Sequence, residues 1–215
     1  MSAADFLLSP EVQKILKVVY AGADELFPAQ VLGKAAGLED EALARQLEHL
    51  VGSGILTRTH AAQGEQAEPL FSVNRQFVFH DELRRIALKS FAAAEPIRAM
   101  LRAKFKDSVV QAFILGEDEA GVIELLVVHG ESTPEQAAMS QAIHKLSRTL
   151  GRDLSVHVMA HSRVGALNAR DALASRLRDP ATLEIIKSGE TKAKLATPRA
   201  GFLVSARKTL AAFGK

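Results

Sequence analysis

The sequence predicts an α+β protein built of two units in series. Three observations carry this. Apolar residues recur at helical spacing from residue 9 to residue 51. Two alternating segments joined by a polar turn follow. The second half then runs in the mixed order β-β-α-β-α, which suits a small sheet with helices on one face.

The first helix is expected over Ser9 to Tyr20. Ser9 supplies a capping hydroxyl, Pro10 opens the first turn, and Glu11 sits near the positive helix end. Val12, Ile15, Leu16 and Val19 form its buried stripe. Ala21-Gly22-Ala23 ends it. A short helix follows over Pro28 to Ala36, closed by Gly37. A third runs from Glu39 to Val51, with Leu43, Leu47 and Leu50 inward, and Gly52-Ser53-Gly54 stops it. Ile55 to His60 alternates as a strand, Ala61 to Glu68 is a polar turn, and Pro69 to Val73 returns. Helix-turn-helix followed by a hairpin is the plan of a winged helix-turn-helix domain, here spanning residues 1–78.

In such a domain the third helix enters the major groove of double-stranded DNA and the wing lies along the backbone. Arg45, Gln46 and His49 can face outward from the third helix, Lys34 from the helix before it, and Arg58 and His60 from the wing. Arg45 suits a guanine edge or a phosphate, and Gln46 an adenine edge. The other four suit backbone positioning. The set is thin: residues 1–80 hold six Lys and Arg against ten Asp and Glu, among them Glu39, Asp40, Glu41 and Glu48. DNA affinity depends on phosphate neutralisation. Two readings follow: a homodimer that doubles the contacts on a palindromic site, or a module that has turned to binding protein.

A long helix is expected over Asp81 to about Lys106, kinked or divided by Pro96, as a linker or dimer seam within residues 79–107. Beyond it, residues 108–215 supply strands over Val109 to Leu115 and Gly121 to Val128, a helix over Thr133 to Leu150, and a strand over Leu154 to Met159. Helices then fit Val164 to Leu177, Ala181 to Lys187 and the tail Ala200 to Phe213.

Composition narrows the function classes. The 215 residues contain no cysteine, which removes disulfides, thiolate catalysis and thiolate metal sites and suits a reducing cytoplasm. No signal peptide is read, and no apolar run is long enough to span a membrane. Net charge is +2, with a basic stretch over Lys187 to Lys215. His129, His157 and His161 lack tight ligand spacing, so no metal is expected. His144 with Ser140 and Ser147 has no nucleophile elbow around it, and no glycine-rich phosphate loop of the P-loop or dinucleotide type occurs. One tyrosine and no tryptophan argue against a stacking platform for single strands.

Phe113 to Val128, FILGEDEAGVIELLVV, has the outline of a two-strand, metal-dependent phosphate site. With the Phe-His-Asp-Glu-Leu link at 79–83, GRDLSVHVMAHS over Gly151 to Ser162 and LEIIKSGETKAKLA over Leu183 to Ala196, the chain resembles bacterial winged-helix regulators fused to a polymerase-beta-type minimal nucleotidyltransferase fold. The resemblance covers about residues 10–196. Active members of that fold hold triphosphate at a Gly-Ser turn and two magnesium ions on three acids, which clamp the attacking and leaving oxygens. Carried onto this sequence, the turn is Gly116-Glu117, the paired acids fall on Val122 and Glu124, and the third on Ser155. One acid of three remains, and Glu117, Asp118 and Glu119 oppose a triphosphate. Asp153, two residues before Ser155, is the one candidate substitute. The resemblance therefore implies a transcriptional regulator whose nucleotidyltransferase-like domain is degenerate and serves dimerisation or ligand and partner binding, with no cofactor and no catalysis. The alternatives are a magnesium-dependent nucleotidyltransferase of antitoxin type and an interaction adaptor without DNA affinity.

Overall fold

The computed structural model of the chain describes residues 1–22, 24–60, 68–118 and 120–195. They form an α+β structure with two separate sheets. Ala23, residues 61–67 of the expected polar turn, Glu119 and the expected tail helix lie outside the described residues.

The first sheet is organised around three helices. Helix α1 (Pro10–Ala21) opens as expected, with the Val12 N–H donated to the Ser9 hydroxyl at 3.3 Å. Strand β1 (Phe27–Pro28) leads into α2 (Ala29–Ala36), and α3 (Asp40–Gly52) follows. Gly37 turns the chain between these two helices at φ +60°, a left-handed conformation that glycine reaches without a Cβ clash. Strands β2 (Leu56–His60) and β3 (Pro69–Val73) pair antiparallel, and β3 also takes β1, giving the order β1-β3-β2. Ile15, Leu16, Val19, Leu32, Leu43, Leu47 and Leu50 are buried against Leu56 and Phe71. The helical stripes and the inward side of the hairpin thus share one core.

The long helical run expected from Asp81, kinked or divided by Pro96, is divided into α4 (His80–Lys89) and α5 (Ala94–Lys104). Pro96 is the cause, but the break falls one turn before it. A proline ring inside a helix clashes with the carbonyl four residues back, here Ala92. The chain therefore leaves the helix at Ser90 and restarts so that Pro96 sits in the first turn of α5, where a missing N–H costs nothing. Ala92 and Ala93, the turn residues, are buried.

The second sheet has the order β6-β5-β4-β7. Strands β4 (Val109–Glu117) and β5 (Ile123–His129) pair antiparallel. Helix α6 (Gln136–Leu150) then carries the chain to β6 (Leu154–Ala160), which lies parallel to β5. Beyond β6 the expected helix over Val164 to Leu177 is two short ones, α7 (His161–Gly165) and α8 (Ala172–Leu177). The Asn168 N–H is donated to the Asp171 carboxylate at 2.7 Å and the Arg170 N–H to the Asn168 side chain at 2.8 Å, a local turn that competes with helix. The helix expected over Ala181 to Lys187 is instead strand β7 (Leu183–Ile186), whose Leu-Glu-Ile-Ile segment pairs antiparallel with the outer side of β4.

Helices cover both faces of this sheet, not one. Val109, Ala112, Ile123, Leu125 and Val127 pack with Ile97 and Leu101 of α5 and with Met139 and Ile143 of α6. Val110, Leu115, Leu126 and Val128 face Val164, Leu173 and Leu177 on the other side. Burial on both faces explains why β5 reads Leu-Leu-Val-Val instead of alternating.

The segment after β7 is laced back over the sheet. The Lys192 N–H is donated to the Lys106 carbonyl at 3.0 Å, the Thr191 hydroxyl to the Val109 carbonyl at 2.6 Å, and the Glu131 N–H to the Lys194 carbonyl at 3.0 Å. Glu190 accepts from Arg98 at 2.9 Å. Burial pushes the Glu190 carboxyl up, but the hydrogen bond and charge of Arg98, a backbone bond from this segment and the charge of Arg102 outweigh it and hold the group below its ordinary value.

Two outcomes follow from this lacing. A Cβ at Gly130 would lie 1.9 Å from the Lys194 carbonyl oxygen, so Gly130→Ala forces backbone apart and lowers stability by about 1–3 kcal/mol in urea melts, with faster amide exchange over 190–194. The lowered Glu190 pKa gives stability present above the ordinary carboxylate range and lost as pH falls through the lowered value. The stability gap between the natural chain and Glu190→Gln should therefore shrink on acidification and be constant through neutral pH.

Candidate functional site

On the first unit, burial of Leu43, Leu47 and Leu50 turns the opposite side of α3 to solvent. Arg45 and His49 are exposed there, Gln46 is half-buried, and Lys34 is exposed on α2. Neither Lys34 nor Arg45 makes an ion pair among the described residues. His60 is exposed at the end of β2. Arg58 is different: its guanidinium pairs with Glu48 of α3 and lies 5.6 Å from the Phe71 ring centre, so it braces the hairpin against the helix. Exposed Glu39, Asp40 and Glu41 crowd the start of α3, where acids favour the positive helix end.

On the second unit, the positions singled out by sequence meet in part. Gly116 pairs with Glu124 across β4 and β5, and Glu124 pairs with Ser155 across β5 and β6, so the three lie abreast. Val122 is not in the strand. It closes a turn in which its N–H is donated to the Asp118 carboxylate at 2.8 Å and its carbonyl accepts the Asp118 N–H at 3.0 Å. Nor does β4 stop at Gly116 as a phosphate-holding turn requires. The strand passes through a register shift between Ile114 and Gly116, where Gly116 takes φ +132°, and runs on to Glu117.

Both acids here are already occupied by arginines. Arg176 of α8 pairs with Glu124 as a charge contact. Glu117 is held on both oxygens: Arg84 of α4 donates to Oε2 at 2.5 Å, and Arg152, just past α6, donates to Oε1. Arg152 also donates to the Tyr20 carbonyl at the end of α1. The side chains of Arg152 and Glu117 are only 4% and 10% exposed. Gly151 lets α6 end there, with φ +65° and only 3.3 Å between an added Cβ and that of Ala21. Burial also pushes the neighbouring Tyr20 phenol up to about 12, so it stays neutral.

No group of three His, Asp or Glu side chains that could hold a metal occurs among the described residues. Arg84, Arg152 and Arg176 were not legible as partners, since each lies 33, 35 or more residues from the acid it meets and nothing local announces the pairing. No family model, curated protein or solved structure matches the chain.

Removing Arg152 leaves a buried carboxylate short of a partner and a carbonyl short of a donor. Arg152→Met should cost about 3–5 kcal/mol in denaturant melts. Arg148→Met, exposed one turn earlier on α6, should stay within about 0.5 kcal/mol.

Proposed function

We propose that this chain is a DNA-binding transcriptional regulator, with a winged helix-turn-helix domain over residues 1–78, a linker region over 79–107, and a nucleotidyltransferase-like domain over 108–215 that is catalytically degenerate. The observation that carries the reading is the uncovered side of α3, where Arg45 and His49 are exposed, as is Lys34 of α2, and neither Lys34 nor Arg45 makes an ion pair among the described residues. Gln46 between them offers an amide for an adenine edge. Six cations against ten acids over residues 1–80 make one copy a poor neutraliser of phosphate. The reading therefore includes a homodimer on a palindromic site, acting in the cytoplasm. The second domain serves dimerisation or the binding of a ligand or partner. The pairing of Glu124 with Arg176 speaks against the magnesium-dependent nucleotidyltransferase alternative, because a metal would have to displace a guanidinium.

A second reading has a specific observation behind it. Arg58, assigned to the wing, is spent on Glu48, and Glu39, Asp40 and Glu41 stay exposed around the helix start. This favours an interaction adaptor without DNA affinity.

Selection of bound DNA from a random double-stranded pool separates the two. The regulator reading expects an enriched palindrome bound with a steep salt dependence, and Arg45→Ala weakening it by about 1–3 kcal/mol. No enrichment, together with Arg45→Ala indistinguishable from the natural chain, leaves the adaptor.

A further inference from the structure

A cavity of about 460 Å³ opens between α4, the start of α5, the end of β4 and the turn before β7. This is the size of a small-molecule site. Its floor is apolar, formed by Leu88, Ile114, Ile123 and Leu183. Its lip is charged, with Arg84, Arg85 and Lys89 along one side of α4 and Glu117 and Asp179 opposite.

The lip charges are not equivalent. Arg84 is committed to Glu117, and Glu117 is shared with Arg152. One Asp179 oxygen accepts the Ala181 N–H at 2.8 Å, which fixes that turn. Arg85 and Lys89 are exposed, one turn apart on the same helix face, and make no ion pair among the described residues. Three cations against two acids leave one positive charge above an apolar floor. A polyphosphate would meet Glu117 and Asp179 as like charges, whereas a single carboxylate balances the lip.

We propose that this cavity binds a small organic monoanion: a carboxylate gripped by Arg85 and Lys89, on an apolar body laid against Leu88, Ile114, Ile123 and Leu183. The site stands on the cavity and its charges alone and does not depend on DNA binding. Glu117 on its lip also holds the Arg152 that donates to the Tyr20 carbonyl near the end of α1.

Titration calorimetry of the full chain with octanoate tests the proposal. Saturable binding at one site per chain is expected, weaker at high salt. The exposed double variant Arg85→Gln/Lys89→Gln should weaken it by about tenfold or more, while Lys104→Gln, exposed at the far end of α5, leaves it unchanged. Octan-1-ol should bind far less well, since it lacks the charge, and inorganic phosphate and ATP less well still, since they lack the body or carry too much charge. Equal binding of octanol, tighter binding of ATP or phosphate, or octanoate affinity untouched by the double variant each overturns it.

Discussion

Glu117 is the residue on which the arrangement of this molecule turns. It sits at the end of β4, nearly out of water, and gives one oxygen to Arg84 and the other to Arg152. Arg152 in turn donates to the Tyr20 carbonyl near the end of α1. Helix α1, helix α4, the end of β4 and the exit of α6 therefore converge on one carboxylate. A buried charge is costly unless its oxygens are paired, and the two arginines on Glu117 meet that demand. The junction is specific rather than simply sticky, because apolar packing between the two units would tolerate sliding and these directional contacts do not.

An arginine answers the second acid at this end of the sheet as well. Glu124 lies abreast of Gly116 and Ser155, and its charge is answered by Arg176. Val122, the other position read as one of the paired acids, lies in the turn just before β5. Acids that hold magnesium in an enzyme must be free to share it. Here they act as internal ties.

Much of the architecture was legible in the residues. The Ser9-Pro10-Glu11 start, the Gly37 turn and the Leu43-Leu47-Leu50 stripe are local signals, and the structure follows them. The errors have one physical source, which is that neighbours distant in sequence decide. Leu183 to Ile186 is apolar enough for a helix, and only the free edge of β4 makes it a strand. The short β1 exists because β3 offers it an edge. Pro96 announced a break in the long helix, but its place depended on where the ring met the preceding turn. The candidate residues fared the same way. Exposure of Arg45 and His49 follows from helical spacing, whereas the capture of Arg58, Glu117 and Glu124 by partners does not.

The central claim is that the acids at the end of this sheet are structural charges and not metal ligands. Calorimetric titration of the full chain with magnesium in the presence of ATP addresses it directly. The account predicts no saturable heat beyond that of magnesium and ATP alone, with the natural chain and Glu124→Gln giving the same trace. A saturable magnesium-dependent binding step that disappears in Glu124→Gln would contradict it.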